Sequence, residues 1–188
     1  MTNSPFVTLL LDGLWDLLSD EWKAVLAENL ELEGFFNEND IDYILTLSEL
    51  DCSNSKITDL YPLYFMPQLE HLDISDTPIW NFSPIASLEN LKTLSATFCH
   101  IEDTHVFSNL HSLEVLDISY PKTHRVDMEG LRALTNLKEL YCNGCAITSL
   151  DCIHQLPNLK TLSVFFNHIQ EAEFTYYRSL NPDCWILK

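Results

Sequence analysis

An α/β solenoid of stacked coils is the fold class this sequence predicts. One short strand per coil is expected in a parallel sheet on the concave side, short 3₁₀ or irregular segments on the convex side, and a helical cap at the N-terminus. Three observations lead there. Leucine returns at Leu47, Leu69, Leu91, Leu113, Leu137 and Leu159, at spacings of 22, 22, 22, 24 and 22 residues, and self-similarity at a fixed period marks a repeat architecture. Each of these leucines opens the phrase L-x-x-L-x-apolar, as in Leu69 to Ile74, Leu113 to Ile118 and Leu159 to Val164. Further along each copy the apolar spacing changes to three, as in Leu60, Leu63 and Met66, or Phe82, Ile85 and Leu88, or Leu150, Ile153 and Leu156.

The pairs Leu50 and Cys52, Leu72 and Ile74, Leu94 and Ala96, Leu116 and Ile118, Leu140 and Cys142, and Leu162 and Val164 alternate with polar neighbours. That period of two is a strand's. The period of three that follows suits a 3₁₀ turn better than an α-helix with 3.6 residues per turn. No single repeat can bury its own apolar edge, so neighbours stack into one continuous core.

In five of the six copies an isoleucine stands at the eleventh place: Ile57, Ile79, Ile101, Ile147 and Ile169. With that position added, residues 47 to about 180 resemble the leucine-rich repeat family, and within it the 22-residue bacterial, internalin-like class. The resemblance implies a bacterial source and a protein or peptide binding module. As in some 22-residue-repeat relatives, it also admits a regulatory subunit that docks on an enzyme.

One domain with two caps is expected: a helical cap over residues 1–46, six repeats over 47–180 and a C-terminal cap over 181–188. Ser19 is placed to N-cap a helix that has Asp20 and Glu21 in its first turn and Trp22, Val25, Leu26 and Leu30 on one face. A second helix through Ile41, Tyr43, Ile44 and Leu45, capped by Asn37 or Asn39, is predicted next. An earlier helix over residues 7–18 carries Leu10, Leu14, Leu17 and Leu18. At the far end, residues 181–187 resemble the short terminal strand that closes many bacterial leucine-rich-repeat chains.

Twenty-eight acids against ten bases leave a net charge of −18, which argues against nucleic acid or an anionic membrane as ligand and favours a protein or peptide with a basic patch. Residues 1–44 hold ten of the acids and one base, Lys23, as a solvated helical surface would. Residues 1–6 carry no basic side chain, and Asp12 and Asp16 interrupt the apolar run at 7–18. A secretion signal or a membrane span is therefore not expected, and the cytoplasm is.

No cofactor, metal ligand or catalytic residue is expected. Cys52 and Cys142 take the inward apolar place of other copies, and Cys99 and Cys145 the ninth place, where Asn167 is the family's usual residue, so all four read as buried filler. Cys142 and Cys145 form C-x-x-C at a strand end, away from any helix start that would lower a thiol pKa. Cys152 and Cys184 have no assigned place. Cys99, His100 and His105 lack a fourth zinc ligand nearby. No G-x-S-x-G, P-loop or H-E-x-x-H occurs. Asp51 and Asp73 on successive strands would stand close and repel each other, which raises an acid-base hydrolase as an alternative. An open sheet face lacks the enclosed cleft such chemistry needs.

The outward places of the sheet form the candidate site. The third place gives Glu49, His71, Thr93, Val115, Glu139 and Thr161; the fifth gives Asp51, Asp73, Ser95, Asp117, Tyr141 and Ser163. The seventh gives Ser53, Ser75, Thr97, Ser119, Asn143 and Phe165, and the eighth Asn54, Asp76, Phe98, Tyr120, Gly144 and Phe166. An acidic zone of Glu49, Asp51, Asp73 and Asp76 thus precedes an aromatic zone of Phe98, Tyr120, Tyr141, Phe165 and Phe166. Aromatics are the commonest interface anchors, so Tyr141 and Phe165 are expected to hold a partner and the aspartates to steer it. Phe98 and Phe166, beside the turn, either join them or fold back onto the rim. The two extra residues of the fourth copy lie within 120–126, where Lys122, His124 and Arg125 make a basic loop. The partner's identity and the oligomeric state are not legible in the sequence.

Overall fold

In the computed structural model, the described residues are 14, 17–31 and 38–188, with side chains excepted at 38, 39, 41 and 42. Seven strands form one open parallel sheet in chain order: β1 (Glu49–Asp51), β2 (His71–Asp73), β3 (Thr93–Ser95), β4 (Val115–Asp117), β5 (Glu139–Tyr141), β6 (Thr161–Ser163) and β7 (Trp185–Leu187). The register aligns equivalent places of every copy, so that Leu50, Leu72, Leu94, Leu116, Leu140, Leu162 and Ile186 form one inward row. All but Ile186 are buried, and they belong to one continuous apolar core. This is a leucine-rich-repeat solenoid, and the strand rows are those the 22-residue period predicts.

On the opposite wall, 3₁₀ segments occupy Tyr61–Phe65, Ser83–Ser87, Thr104–Phe107 and Glu129–Ala133. Pro62 and Pro84 sit in the first turn of theirs, where a missing N–H is harmless. Gly130 is required by the stacking of two such segments: a Cβ there would lie 2.3 Å from backbone atoms of Thr104 and His105. In the fifth copy the wall is only turns over 151–155. In the sixth it is a full α-helix, Glu171–Leu180, which the period-of-three reading does not anticipate. Phe174 and Tyr177, three residues apart, are buried on its inner side, and Glu171 and Glu173 lie in its first turn.

The N-terminal cap is built as Ser19 suggests. Helix α1 (Asp20–Asn29) begins with Ser19 Oγ accepting from Trp22 N at 3.2 Å, and it buries Trp22, Val25 and Leu26. Its last residue does more than the sequence reveals. Asn29 Nδ2 donates to Asp51 O at 2.8 Å while Asn29 Oδ1 accepts from Asp51 N at 2.7 Å. One side-chain amide thus stands in for a missing strand and closes the β1 edge. Residues Glu38–Thr46 are 3₁₀ rather than α-helical, with Ile44 buried and Tyr43 exposed. Of the two expected caps, Asn39 is within the 3₁₀ run, and Asn37 lies outside the described residues. Most of the helix expected over 7–18 also lies outside them; of its leucines, Leu14 and Leu18 are buried and Leu17 is exposed. The C-terminal cap is α2 (Glu171–Leu180) followed by β7, which pairs with β6 as residues 181–187 suggest. Among the described residues no helix is long and apolar enough to cross a membrane.

Candidate functional site

The fifth-place aspartates are held by their own chain. Asp51, Asp73 and Asp117 each accept from the backbone N–H two residues on, at Ser53, Ser75 and Ser119, over 2.8 to 2.9 Å. Each carboxylate thereby ends its strand and opens the turn, the local bonding for which short polar side chains are favoured. Asp51 and Asp73 are register partners, as the stack requires. They line an open hollow of about 350 Å³ with Asn29, Glu49, His71, Thr93 and Ser95. His71 Nδ1 meets Thr93 Oγ1 at 3.0 Å. Not every place expected to face solvent does so: Ser119 and Ser163 are buried. Ser163 Oγ donates to Asn143 Oδ1 at 2.8 Å, and Ser119 Oγ accepts from Asn143 N at 3.2 Å. Asn143 thus knits the fourth to sixth copies together.

The turn after each strand has one invariant feature. At the eighth place φ is positive in every copy: Asn54 56°, Asp76 52°, Phe98 55°, Tyr120 55°, Gly144 65° and Phe166 57°. The reason is the ladder. The eighth-place N–H of the first five copies donates to the seventh-place carbonyl of the next copy, as in Phe98 N to Ser119 O at 3.1 Å and Tyr120 N to Asn143 O at 2.7 Å. In those five copies the left-handed residue carries the sheet's hydrogen bonds around the corner. Asparagine, aspartate and glycine adopt that conformation readily, whereas a bulky side chain costs about 1–2 kcal/mol there.

Three of the six eighth places nevertheless hold large aromatics, and they touch. Phe98 and Tyr120 stack at 5.5 Å between centroids with 14° between planes; Tyr120 and Phe166 approach to 6.2 Å, and Phe166 meets Phe165 at 6.3 Å. Tyr120 reaches Phe166 over Gly144, where a Cβ would lie 2.9 Å from Tyr120 Cδ1. The rings do not fold back onto the rim: Phe166 is 77% exposed, Phe98 48%, Phe165 40% and Tyr120 38%. They make a continuous apolar ridge along the strands' C-terminal edge. Tyr141 lies lower, half-buried, with its hydroxyl donating to Glu139 Oε2 at 2.7 Å, and that carboxylate raises the phenol's pKa.

Lys122 of the loop at 120–126 bonds Asp76 Oδ1 at 2.8 Å. The loop is tied to the previous copy by its backbone, Lys122 N to Cys99 O, and by a side chain, Thr123 Oγ1 to Ile101 O. Lys122 and Asp76 therefore cancel in part, and the exposed basic side chains left on the loop are His124 and Arg125. Other bases are spent similarly, Lys92 on Glu70 and Lys138 on Glu114 at 2.6 and 2.7 Å. Register also adds a residue that the repeat pattern missed: Trp185, level with Thr161 on β7, is 72% exposed. A terminal strand outside the six copies carries no L-x-x-L signal from which its outward place could be counted. Trp80, stacked on His100 at 3.8 Å, lies exposed on another wall.

The six cysteines are free thiols, and five are buried. Cys52 and Cys142 fill the inward row, where burial pushes their pKa values well up. Cys99 Sγ donates to Ile74 O at 3.1 Å and Cys145 Sγ to Ile118 O at 3.3 Å, the same link to the preceding copy that Asn167 Nδ2 makes to Cys142 O. They are donors as well as filler. Burial holds Cys145 up at about 12, so the C-x-x-C pair carries no reactive thiolate at neutral pH. Cys184 lies against the Tyr177 hydroxyl at 3.6 Å, and half-buried Cys152 bonds Glu129 at 3.1 Å. Cys99, His100 and His105 do not converge: His100 stacks on Trp80, and His105 pairs with Asp103 at 2.6 Å.

Comparison with known proteins agrees with this geometry. A family profile described as leucine-rich repeats in two copies matches residues 46–87 and 135–175. An uncharacterised protein of Caenorhabditis elegans is 32% identical over 111 residues, which are 53% of this chain and 24% of that protein. An internalin of Listeria monocytogenes superposes with a TM-score of 0.65 at 24% identity, over 75% of this chain and 41% of its own. A leucine-rich-repeat protein of Leptospira interrogans gives 0.66 at 22% identity, over 82% and 40%. This chain thus spans a quarter to two fifths of the length of these relatives, and at these identities the structures share its fold.

Proposed function

The chain is a leucine-rich-repeat protein with internalins among its structural relatives, and from that premise we propose that it is a protein or peptide binding module. Its partner lies along the sheet face and against the ridge of Phe98, Tyr120, Phe166 and Phe165, and presents a basic patch to the acidic early repeats. One observation carries this reading: bulky aromatics occupy a backbone position that disfavours them, and there they stay exposed and in mutual contact. Folding alone favours Asn or Gly at that place, so the ridge points to recognition. Leucine-rich repeats are generally binding scaffolds rather than enzymes. The fifth-place carboxylates have backbone work of their own in an open hollow, which favours binding over acid-base hydrolysis. A reducing, cytoplasmic location suits six unpaired thiols.

The test is a displayed peptide library selected on the full chain and then challenged with the Phe98→Ala/Phe166→Ala variant. Selected binders enriched in Lys and Arg that lose affinity for the variant, with its circular dichroism unchanged, support the proposal. Binders indifferent to both side chains refute it.

A further inference from the structure

Behind the binding face, the join between the fifth repeat and helix α2 brings together three side chains that the repeat pattern keeps apart. Asp151 and His154 come from the turns over 151–155, and Glu173 from the first turn of α2. One ligand atom from each, two carboxylate oxygens and a ring nitrogen, lie within 4.8 Å of one another. We propose that these three residues hold one divalent cation of the zinc or manganese kind, which staples the C-terminal cap to the last repeats.

Two observations beyond the clustering of acids support a ligand here. The His154 side chain is only 10% exposed, yet no hydrogen bond satisfies its ring among the described residues. Nδ1 stands 3.7 Å from Asp151 Oδ1, beyond bonding distance, and Nε2 is buried without a partner. A buried imidazole left so costs free energy, part of which coordination through one ring nitrogen would return. Tyr176 and Tyr177 enclose the ring at 5.0 and 5.6 Å, which fixes its plane and keeps bulk water off it. Second, the site is braced before any ion arrives. Glu173 Oε2 accepts from Ser149 Oγ and Leu150 N, both at 3.1 Å, Asp151 N donates to Ser149 Oγ at 3.1 Å, and His154 N donates to Leu150 O. Such outer bonds orient metal ligands. The two carboxylates repel at this range; the neighbouring guanidinium of Arg132 pairs with the Glu129 carboxylate at 2.6 Å and reaches only the backbone carbonyl of Asp151, at 3.2 Å.

The donor set selects the ion. One imidazole nitrogen with two carboxylate oxygens suits zinc or manganese, whereas calcium and magnesium call for oxygen alone. Zinc bonds to such ligands are about 2.0–2.2 Å long, so the three groups must draw closer around the ion. The exposed side of Asp151 leaves the fourth position to water.

Calorimetric titration of the chelator-treated full chain with MnCl₂ and with ZnCl₂, alongside thermal melts, tests the proposal; manganese separates this site from the thiols, which as soft ligands prefer zinc. One saturable ion per chain is expected, with affinity reduced at least about tenfold in His154→Gln and in Glu173→Gln. At a hundredfold excess over Kd the ion should raise the melting temperature by about 5 °C in the unaltered chain and in neither variant. Asp151→Asn, at an exposed position, keeps the test decisive if His154→Gln fails to fold. No saturable binding up to about 1 mM, or binding undiminished in the folded variants, overturns the site.

Discussion

The fifth place ends each strand and the eighth lies in the turn that follows, and the chain uses them in opposite ways. At the fifth, charged side chains that look like a ligand-binding array spend an oxygen on their own backbone: Asp51, Asp73 and Asp117 each close the N–H two residues on. At the eighth, a backbone that asks for Asn or Gly instead carries Phe98, Tyr120 and Phe166, whose rings contact one another and stay exposed. The acids therefore serve the fold first and a partner second, and the aromatics the reverse. Stability and binding should separate cleanly between the two rows.

The sharpest test lies at the rim. Phe98→Ala and Phe166→Ala should each weaken a selected peptide by about 2 kcal/mol or more, since exposed aromatics that become buried concentrate interface energy. Phe166→Asn should remove binding in the same way while leaving stability unchanged or up to about 1 kcal/mol higher, because asparagine relieves the left-handed strain. Urea melts beside binding isotherms measure both. A Phe166→Asn protein that melts markedly earlier would show that the ridge belongs to the fold and would erase the contrast.

A smaller effect is expected at Gly144, which joins the rows. Its positive φ and the 2.9 Å approach of Tyr120 Cδ1 to a would-be Cβ mean that Gly144→Ala must push the Tyr120 ring aside. A loss of about 1–2 kcal/mol in urea unfolding is expected. Binding should fall with it, because Tyr120 bridges Phe98 to Phe166. Unchanged binding in this variant would place the partner's contacts off the bridge.

These rows were legible in part. A fixed period of 22 and side-chain alternation place every strand residue, because register in a stacked sheet admits no slip without exposing the leucine row. What the side chains do there is set by bonds to neighbouring copies. The link from Asn29 to Asp51, the bridging by Asn143 and the carbonyl bonds of Cys99 and Cys145 join residues 20 or more positions apart, and no local pattern announces them. Helix α2 was missed for a related reason. Glu171 to Leu180 looks like one more convex segment until Phe174 and Tyr177 are seen to bury together, and with the helix went the approach of Glu173 to His154. The positive φ at Phe98 and Phe166 was open to inference from Asn54, Asp76 and Gly144 at the same place, three residue types that share only a tolerance of that conformation.

Truncation separates the two duties of the fifth place. Asp73→Ala leaves the Ser75 N–H without its acceptor and should destabilise the chain by about 1 kcal/mol, the usual net worth of such a bond. Thermal or urea melts read the change directly. A cost near zero would mean that water replaces the carboxylate and that the aspartates are free for a partner after all.

The smallest effect on the fold, and the most specific to function, is Asp73→Asn. Asparagine keeps an oxygen for Ser75 N, so stability should stay within about 0.5 kcal/mol of the original, while one negative charge leaves the early sheet face. Charges that steer encounter act on the association rate more than on dissociation, and salt screens them over a Debye length of about 8–10 Å. Stopped-flow binding of a basic peptide should accordingly show a slower on-rate for Asp51→Asn/Asp73→Asn at low salt, an off-rate close to that of the unaltered chain, and a difference that shrinks as salt rises. The Phe98→Ala and Phe166→Ala variants should show the converse, a faster off-rate at every salt concentration. If the aspartate variants instead changed the off-rate and kept their salt dependence, the acids would be in direct contact with the partner, and the division of labour between the two rows would have to be drawn along the sheet face rather than between face and rim.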